Sequence, residues 1–343
     1  MAKKINYASL FTLRKDGRYQ GSYTDAKGRH YVYDKDPEKL WHKLNERMTV
    51  KPVKFEDLAD EWHTDYVQQA AYKTEESSRA PLSRLLGRFG DEVAEDITAM
   101  QITAYLAELG RKGYSRRTVQ LHKNIMSMIF NKGLATGQIK VSPMNGVIMP
   151  RNLAETRREL PPDDALEAIK KNTDIPFALF ALLCLYAGLR RGEALALKYE
   201  DIDRVNKTIR VERAIEFVGN DPHIKSPKTN AGKRKAVLLD ALAAHIPEKG
   251  KGYIFVNDEG GLLTKMQYRK RWERYCKAIG HELTAHQLRH GFATILYEAG
   301  VPDKDAQELL GHTSITLTRD IYTHIRQSRR DDVISKLNDF VST

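Results

Sequence analysis

Hydrophobic residues recur at intervals of three and four through much of the chain, which is the spacing of one face of an α-helix. Between residues 54 and 138 this pattern predicts four amphipathic helices. Thr98 and Ser115 stand where helix caps are favoured, ahead of the third and fourth of these helices. The start of the second helix, between residues 73 and 89, is left open by Pro81, because proline is disfavoured inside a helix. The segment is therefore expected to be all-helical.

The first fifty residues carry turn signals between short runs that are rich in aromatic and basic side chains. Asp16-Gly17 is a tight-turn signal between residues 9–14 and 18–24, and a second turn leads into residues 30–33. Asp36-Pro37-Glu38 then opens a helix, with proline and an acid in its first turn. The pattern predicts three short strands, with one face of the sheet covered by that helix.

The second half of the chain contains both the helical spacing of three and four residues and the alternation of apolar and polar residues that is typical of strands. The almost wholly apolar run 177–186 predicts a buried helix, whereas residues 202–218 and 236–239 read as strands. The remainder is expected to be helical at 240–247, 264–279, 284–299, 303–310, 314–324 and 328–341. Residues 142–158, which contain proline and Asn-Gly turn signals, are interpreted as a linker ahead of this half.

Length and charge narrow the class of partner. The chain has 343 residues, enough for two or three domains, and a net charge of +11. Such a surplus favours a polyanion, either nucleic acid or an anionic membrane face. No apolar run reaches the ~18–20 residues of a membrane span, and no signal core follows the N-terminus, so we expect nucleic acid. Cys184 and Cys276 indicate neither a disulfide framework nor a metal site, and a cytoplasmic protein is expected.

Candidate chemistry begins in the segment AHQLRHGFAT, where His286 and Arg289 are three residues apart and so share one helical face. An imidazole beside a guanidinium suits a phosphate, although an isolated His-x-x-Arg is more often a surface pair without function. Upstream, the segment YAGLRRGEAL contains Arg190. Downstream, the segment LLGH ends at His312, and Tyr322 follows ten residues later.

Lys228 lies between the two arginine motifs, inside a basic segment with strand character. This ordered set of arginine, lysine, His-x-x-Arg, histidine and tyrosine resembles the catalytic set of the tyrosine recombinases, the phage-type integrases. The resemblance covers about the last half of the chain closely and the first half in architecture only. It implies a multidomain, mainly α fold with four parts: a three-stranded β domain plus helix that binds arm-type DNA (1–50), a four-helix core-binding domain (51–145), a linker (146–158), and an α+β catalytic domain with a C-terminal protomer-exchange tail (159–343).

Phosphodiester chemistry explains why these residue types would serve. A tyrosine hydroxyl has an ordinary pKa of about 10, so it attacks only an activated phosphorus with which it is aligned. By resemblance Tyr322 is the nucleophile, and Arg190 and Arg289 grip the two non-bridging oxygens. Lys228 matches the general acid that protonates the leaving 5′-oxygen. The implied product is a covalent 3′-phosphotyrosine, whose religation needs no cofactor, nucleotide or metal.

Three further residues match supporting positions of the family. His286 matches the histidine that binds the phosphate and assists proton transfer. His312 matches a position that packs against the tyrosine and hydrogen-bonds a phosphate oxygen. Glu193, three residues after Arg190, matches an accessory acid that orients the catalytic groups and takes no direct part in the chemistry.

Neighbouring residues compete for some of these assignments. Tyr297 is an alternative nucleophile, but it lies in the middle of a predicted helix and is expected to pack. Arg191, His290 and His324 adjoin the motifs, match no catalytic position and are expected to be structural. Residues 225–235, which contain Lys228, are predicted to form a basic hairpin, and this hairpin holds four other cations: Lys225, Lys233, Arg234 and Lys235.

The resemblance implies three kinds of partner. They are double-stranded DNA at core and arm sites, three further copies of the chain in a homotetramer on synapsed DNA, and an accessory DNA-bending or excision factor.

Three surfaces have two interpretations each. The N-terminal sheet either packs its aromatics or lies in a DNA groove. The basic residues of segment 111–123 are either solvated or contact phosphate. The apolar stripe of residues 331–343 either folds onto its own domain or docks on a neighbouring protomer.

The expected function is site-specific recombination that integrates and excises a mobile element in a bacterial cell or phage-infected host. A non-catalytic DNA-binding regulator is one alternative, although it would not need an intact nucleophile. A type IB topoisomerase, which shares the chemistry, is another. A chromosome-dimer resolvase would normally lack residues 1–50. A metallo-hydrolase is disfavoured, because segment 286–290 lacks the glutamate of His-Glu-x-x-His.

Overall fold

The computed structural model describes residues 5–25, 28–48, 52–155, 160–226 and 234–311, together with 314–316, 318–319, 322–323, 334, 338 and 340–341. The chain divides into two compact units, Met1–Thr156 and Arg157–Thr343. The described residues are mainly helical, with a small antiparallel sheet near the N-terminus and further short strands in the second unit. This arrangement confirms the predicted fold class. None of the helices in the described ranges is both long and apolar enough to cross a membrane.

The N-terminal sheet has the order β1 (Thr12–Leu13), β2 (Tyr19–Asp25) and β3 (Gly28–Asp34), and it is followed by α1 (Pro37–Met48). Alternation along β3 turns Val32 towards Leu40 and Leu44 of α1, while Tyr31 and Tyr33 stay exposed on the opposite face. Gly21 lets α1 approach the sheet, because a Cβ there would lie 2.3 Å from Leu44 Cδ1.

The predicted first strand, residues 9–14, was too long. Tyr7–Leu10 instead forms a 3-10 helix, and the strand is only Thr12–Leu13. Ser9 accounts for the difference, because both its backbone N–H and its hydroxyl donate to the Asn6 carbonyl, at 3.2 and 2.7 Å. Such local side-chain bonds compete with strand pairing.

Four helices follow in the first unit: α2 (Phe55–Gln69), α3 (Tyr72–Phe89), α4 (Ala99–Arg111) and α5 (Arg116–Ala135). Thr98 and Ser115 cap α4 and α5 as predicted, each accepting a backbone N–H three residues on. Pro81 lies inside α3, with its ring in the core. The helical core also buries segments beyond α5, since Met144, Val147 and Leu153 belong to the same apolar cluster.

The second unit has a large apolar core that contains the helix at Ala178–Tyr186. Its helices are α6 (Asp163–Lys171), α7 (Ala178–Tyr186), α8 (Arg191–Leu195), α9 (Asp240–Ala243), α10 (Lys265–Ile279), α11 (Ala285–Glu298) and α12 (Asp303–Leu310). Its strands are β4 (Ile202–Asp203), β5 (Thr208–Val211), β6 (Ala214–Val218), β7 (Asp221–Lys225) and β8 (Arg234–Val237). One sheet has the order β4-β5-β8, and β6 and β7 form a separate hairpin. The apolar run of α7 is buried as predicted.

Three elements of this unit differ from the prediction. Strand β8 is Arg234–Val237, two residues earlier than the predicted strand 236–239. Strand β7 was missed, because its sequence DPHIK contains proline and polar residues that are uncommon in strands. Helix α9 ends at Ala243, four residues before the predicted end at residue 247. Pro247 disfavours helical backbone at the preceding residue. In addition, the Arg204 guanidinium donates hydrogen bonds to the carbonyls of Ala243 and Ile246, at 3.2 and 2.5 Å.

Candidate active site

Arg190 is positioned by a sharp reversal of the chain between α7 and α8. Gly188 has a φ of +60°, and a Cβ at this residue would lie 2.3 Å from Phe292 Cδ1 on α11. Only glycine combines this backbone conformation with so close an approach. Arg190 then stands at the N-cap of α8 with its side chain 45% exposed, so the guanidinium reaches a surface that is open to a ligand.

Glu193 lies on the first turn of α8 and joins Arg190 to the rest of the site. Its carboxylate accepts the Arg190 backbone N–H at 2.8 Å and Arg190 Nη1 at 2.7 Å. It also accepts a bidentate pair of bonds from Arg234, at 3.0 and 2.9 Å. Burial by itself would raise the pKa of Glu193, but the Arg234, Arg190 and Arg289 guanidiniums outweigh burial and lower it to about 2. The residue is therefore a carboxylate at any working pH.

Arg289 is buried beneath this pair, with only 4% of its surface exposed. Helix α11 holds it, and Thr284 caps that helix by accepting the Gln287 N–H. Arg289 Nη1 donates to the Gly188 carbonyl at 2.5 Å and lies 4.0 Å from Glu193 Oε2. Burial lowers the pKa of Arg289, and the nearby cations lower it further, whereas Glu193 raises it.

The electrostatic balance of the site is positive. Three guanidiniums, those of Arg190, Arg234 and Arg289, surround the single carboxylate of Glu193, so the described part of the site has a surplus of two positive charges. A surplus that is held in fixed geometry at a partly buried surface is suited to a phosphate.

The C-terminal end of α12 is bound by the same three arginines. Arg234 Nε donates to the Leu309 carbonyl at 3.1 Å, Arg289 Nη2 donates to the Leu310 carbonyl, and Arg190 Nη2 donates to the Gly311 carbonyl at 2.8 Å. Carbonyls at a helix C-terminus lack intrahelical partners and carry partial negative charge. Gly311, with a φ of +62°, ends the helix and turns its carbonyl towards Arg190.

His286 lies on the exposed side of α11, one turn from His290, which is buried. The two Nε2 atoms are 3.0 Å apart, and the rings meet edge to face with centroids 4.3 Å apart. One nitrogen of the pair must donate and the other accept. His290, which we expected to be structural, therefore contacts a predicted site residue directly.

Tyr322 is in helical backbone and is 4% exposed. Its ring packs with Phe292, Leu296 and Leu310, and meets the Tyr297 ring edge to face at 5.1 Å. Its hydroxyl is buried and has no hydrogen-bond partner among the described residues. Burial, with a smaller effect from Asp303, raises the pKa of Tyr322 to about 12. The structure thus brings Arg190, Glu193 and Arg289 together but keeps the Tyr322 hydroxyl in apolar surroundings.

Two predicted site residues, Lys228 and His312, lie outside the described residues, as does most of the tail 331–343. Arg234, which was predicted only as one of several cations in the hairpin, contacts Glu193 and is part of the site. Alternation along β8 could have identified it, because Arg234 and Ala236 face inwards while Lys235 faces outwards. Within the described ranges no three His, Cys, Asp or Glu side chains are grouped as a metal site.

Comparison with known proteins assigns the second unit to a family. The model of the Phage integrase family matches residues 162–329. The tyrosine recombinase XerA of Thermococcus kodakarensis is 31% identical over 256 residues, which cover 71% of this chain and 85% of that protein. A prophage phiRv2 integrase of Mycobacterium tuberculosis is 25% identical over an alignment of 359 positions, covering 94% of this chain and 92% of that protein.

Solved structures share the fold at lower sequence identity. The Tn1549 transposon integrase in complex with transposon right end DNA is 20% identical with a TM-score of 0.65, over 81% of this chain and 98% of that one. A lambda integrase tetramer bound to a Holliday junction is 21% identical with a TM-score of 0.60, over 89% of this chain and 96% of that one. At these identities the likeness is one of fold.

Proposed function

Because the chain belongs to the tyrosine recombinase family and is thus a site-specific recombinase, we propose that it cuts and rejoins DNA through a covalent 3′-phosphotyrosine on Tyr322. We propose further that the reaction integrates and excises a mobile element. The observation that carries the mechanism is the preformed cluster of Arg190, Glu193 and Arg289, whose surplus positive charge has no counter-ion among the described residues.

The proposed reaction exchanges one phosphate ester bond for another. The Tyr322 oxygen attacks the phosphorus, a P–O bond to tyrosine forms, and the P–O5′ bond breaks. The tyrosine proton passes to His286, which binds the phosphate, and Lys228 gives a proton to the 5′-oxygen. Arg190 and Arg289 stabilise the charge that develops on the two non-bridging oxygens. Attack by a 5′-hydroxyl reverses these steps and religates the strand.

The burial of Tyr322 adds a requirement to this mechanism. With a pKa of about 12 the side chain is a neutral phenol at pH 7, so it must lose its proton as it attacks. Its hydroxyl must also leave the cluster of Phe292, Leu296 and Leu310 to reach a phosphate held by the arginines. Productive alignment thus requires the Tyr322 side chain to move.

We propose that residues 1–50 bind arm-type DNA sites through the exposed face of the N-terminal sheet. That face combines cations with aromatic rings: Arg14 lies 4.8 Å from the centre of the Tyr33 ring, and Arg29 lies 5.5 Å from that of Tyr31. Both tyrosines are exposed, so their rings are accessible to a ligand on that face. Basic and aromatic side chains on a narrow sheet suit a DNA groove.

The remaining domains follow the same proposal. Residues 51–145 bind the core site, and residues 159–343 carry out the chemistry. Residues 146–158 link these two domains. A homotetramer on synapsed DNA, aided by an accessory DNA-bending or excision factor, is the proposed active assembly. The lambda integrase tetramer on a Holliday junction supports this assembly by likeness of fold.

The extent of the alignments favours a mobile-element integrase over a resolvase. The prophage integrase aligns over 94% of the chain, whereas the XerA recombinase aligns over 71%. The non-catalytic regulator keeps one supporting observation, which is that the Tyr322 hydroxyl makes no described contact with the arginine cluster. A test must therefore detect the covalent bond itself.

A nicked suicide duplex carrying the element's core site provides that test. The full-length protein is mixed with the duplex in EDTA and resolved on a denaturing gel. We expect a slow covalent band that Tyr322→Phe abolishes and Tyr297→Phe retains. Tight, salt-sensitive binding without a band would favour the regulator. Relaxation of a supercoiled plasmid lacking the core site would favour the topoisomerase.

A further inference from the structure

We propose that Arg234 is a positioning residue of this recombinase, which acts on the DNA phosphate only through Glu193 and the end of α12. The inference rests on the proposed function and extends it to Arg234. This residue matches none of the catalytic positions that the family resemblance assigns in this sequence. Arg234 lies at the start of β8, opposite Val211 of β5, and its side chain is 4% exposed.

All three guanidinium nitrogens of Arg234 donate to protein acceptors. Nη1 and Nη2 bind the two oxygens of Glu193 at 3.0 and 2.9 Å, and Nε binds the Leu309 carbonyl at 3.1 Å. Arg190 differs, because its side chain is 45% exposed and only two of its three guanidinium nitrogens donate in the described contacts. Arg234 is therefore enclosed by its partners, whereas Arg190 faces a surface that DNA can reach. Arg289 is equally buried, but its described hydrogen bonds are to backbone carbonyls alone, which a phosphate can replace more easily than the carboxylate that binds Arg234.

Neutralisation of Glu193 is the first consequence of this geometry. The carboxylate is buried and bound by both Arg234 and Arg190. With Arg234 in place, its fork neutralises the carboxylate and fixes the position of Glu193, and through Glu193 that of Arg190. Without Arg234, Glu193 and Arg190 would no longer be held in one geometry, whereas Arg190 would keep its charge and its exposed side chain.

Attachment of α12 is the second consequence. Arg234 is the only arginine of the three that links a β-strand to that helix, through Leu309. The two elements are so close that a Cβ on Gly311 would lie 2.8 Å from Arg234 Cδ. Because His312 and Tyr322 follow α12 in sequence, an error in the position of α12 would be passed on to both predicted site residues.

Salt dependence of DNA binding separates a positioning residue from a phosphate ligand. Loss of one phosphate contact reduces the slope of log K against log salt concentration by about 0.9. We expect Arg190→Met to show this reduction on a core-site duplex and Arg234→Met to keep the wild-type slope. Arg234→Met should instead slow single-turnover covalent-complex formation on the suicide duplex about 100-fold, as misplaced catalytic groups do. Arg234→Lys, which keeps the charge but not the fork, should recover part of the rate.

A double-mutant cycle tests whether the effect passes through Glu193. If part of the effect does, Arg234→Met added to Glu193→Gln should slow the reaction by clearly less than the about 100-fold expected in the wild-type background, and the remainder is the share that passes through Leu309. Additive losses, a reduced salt slope, or a wild-type cleavage rate in Arg234→Met would each overturn the proposal.

Two controls keep these outcomes distinct. If Arg234→Met fails to fold by circular dichroism, the double variant Arg234→Met with Glu193→Met, which removes both buried charges, takes its place in the salt titration; a reduced slope there also overturns the proposal. If the wild-type protein forms no covalent complex, it is the proposed function that fails, and an unchanged salt slope in Arg234→Met still supports an indirect role for Arg234.

Discussion

Replacing Glu193 with glutamine should destabilise the second unit in a pH-dependent way. The carboxylate is buried and its pKa is lowered from 4.5 to about 2 by the surrounding arginines. At about 1.4 kcal/mol for each pKa unit, that difference corresponds to about 3 kcal/mol of stability. Glutamine keeps the shape of the side chain but removes the charge that the guanidiniums surround.

The sign of the effect follows from proton linkage. The pKa of Glu193 is lower in the folded than in the unfolded state, so the stabilisation is complete above about pH 5 and is lost as pH falls towards 2. Glu193→Gln has no such proton to bind. The difference in unfolding free energy between the wild type and the variant should therefore be about 3 kcal/mol at pH 6–7 and should shrink towards zero near pH 2.

Tryptophan fluorescence can report the second unit alone. The chain has three tryptophans, and only Trp272 belongs to that unit, where it is buried. Urea titrations in a background with Trp41→Phe and Trp62→Phe, at pH 7, 5, 4 and 3, would follow its unfolding with and without Glu193→Gln. A difference that stays constant over this range would refute the argument, because the stabilisation would not come from the ionised carboxylate.

Three further outcomes are expected. Gly188→Ala should lower the unfolding free energy of the second unit by roughly 2–5 kcal/mol in urea titrations, since it introduces a side chain at positive φ and against a packed ring. Arg289→Lys keeps the charge but loses the fork, and should reduce single-turnover formation of the covalent band about 100–1000-fold. Arg29→Ala with Tyr31→Ala should weaken anisotropy-measured binding to an arm-site duplex and lower its salt slope by about 0.9, whereas Lys39→Ala, on the helix behind the sheet, should not.

The sequence predicted an element well when the contacts that form it lie within a few residues of one another. Thr98 and Ser115 cap their helices because a hydroxyl that accepts a backbone N–H needs only three following residues. Strand β7 was missed because its pairing partner, β6, holds it in place despite a proline at Pro222. Tertiary pairing of this kind overrides the propensity of a five-residue segment.

The site was predictable in composition but not in contacts. The spacing of His286 and Arg289 required one helical face, and their segment does form α11. Nothing in the sequence linked Arg234 to Glu193, which lies 41 residues away. That contact depends on the pairing of β8 with β5 and on the close approach of α12, neither of which has a local pattern.

The described contacts divide the site into two parts with different physical character. The arginines come from three elements, α8, β8 and α11, and they converge on three successive carbonyls, those of Leu309, Leu310 and Gly311. This charged part exists without DNA, and its bonds are between charged donors and fixed acceptors. The Tyr322 hydroxyl, in contrast, is held by apolar contacts alone among the described residues. Since the two parts meet at the end of α12, a phosphate that draws Arg190 and Arg289 away from the carbonyls of Gly311 and Leu310 would loosen the same helix that precedes the tyrosine. Under the proposed mechanism, we therefore expect the phosphate to be bound first and Tyr322 to be aligned afterwards.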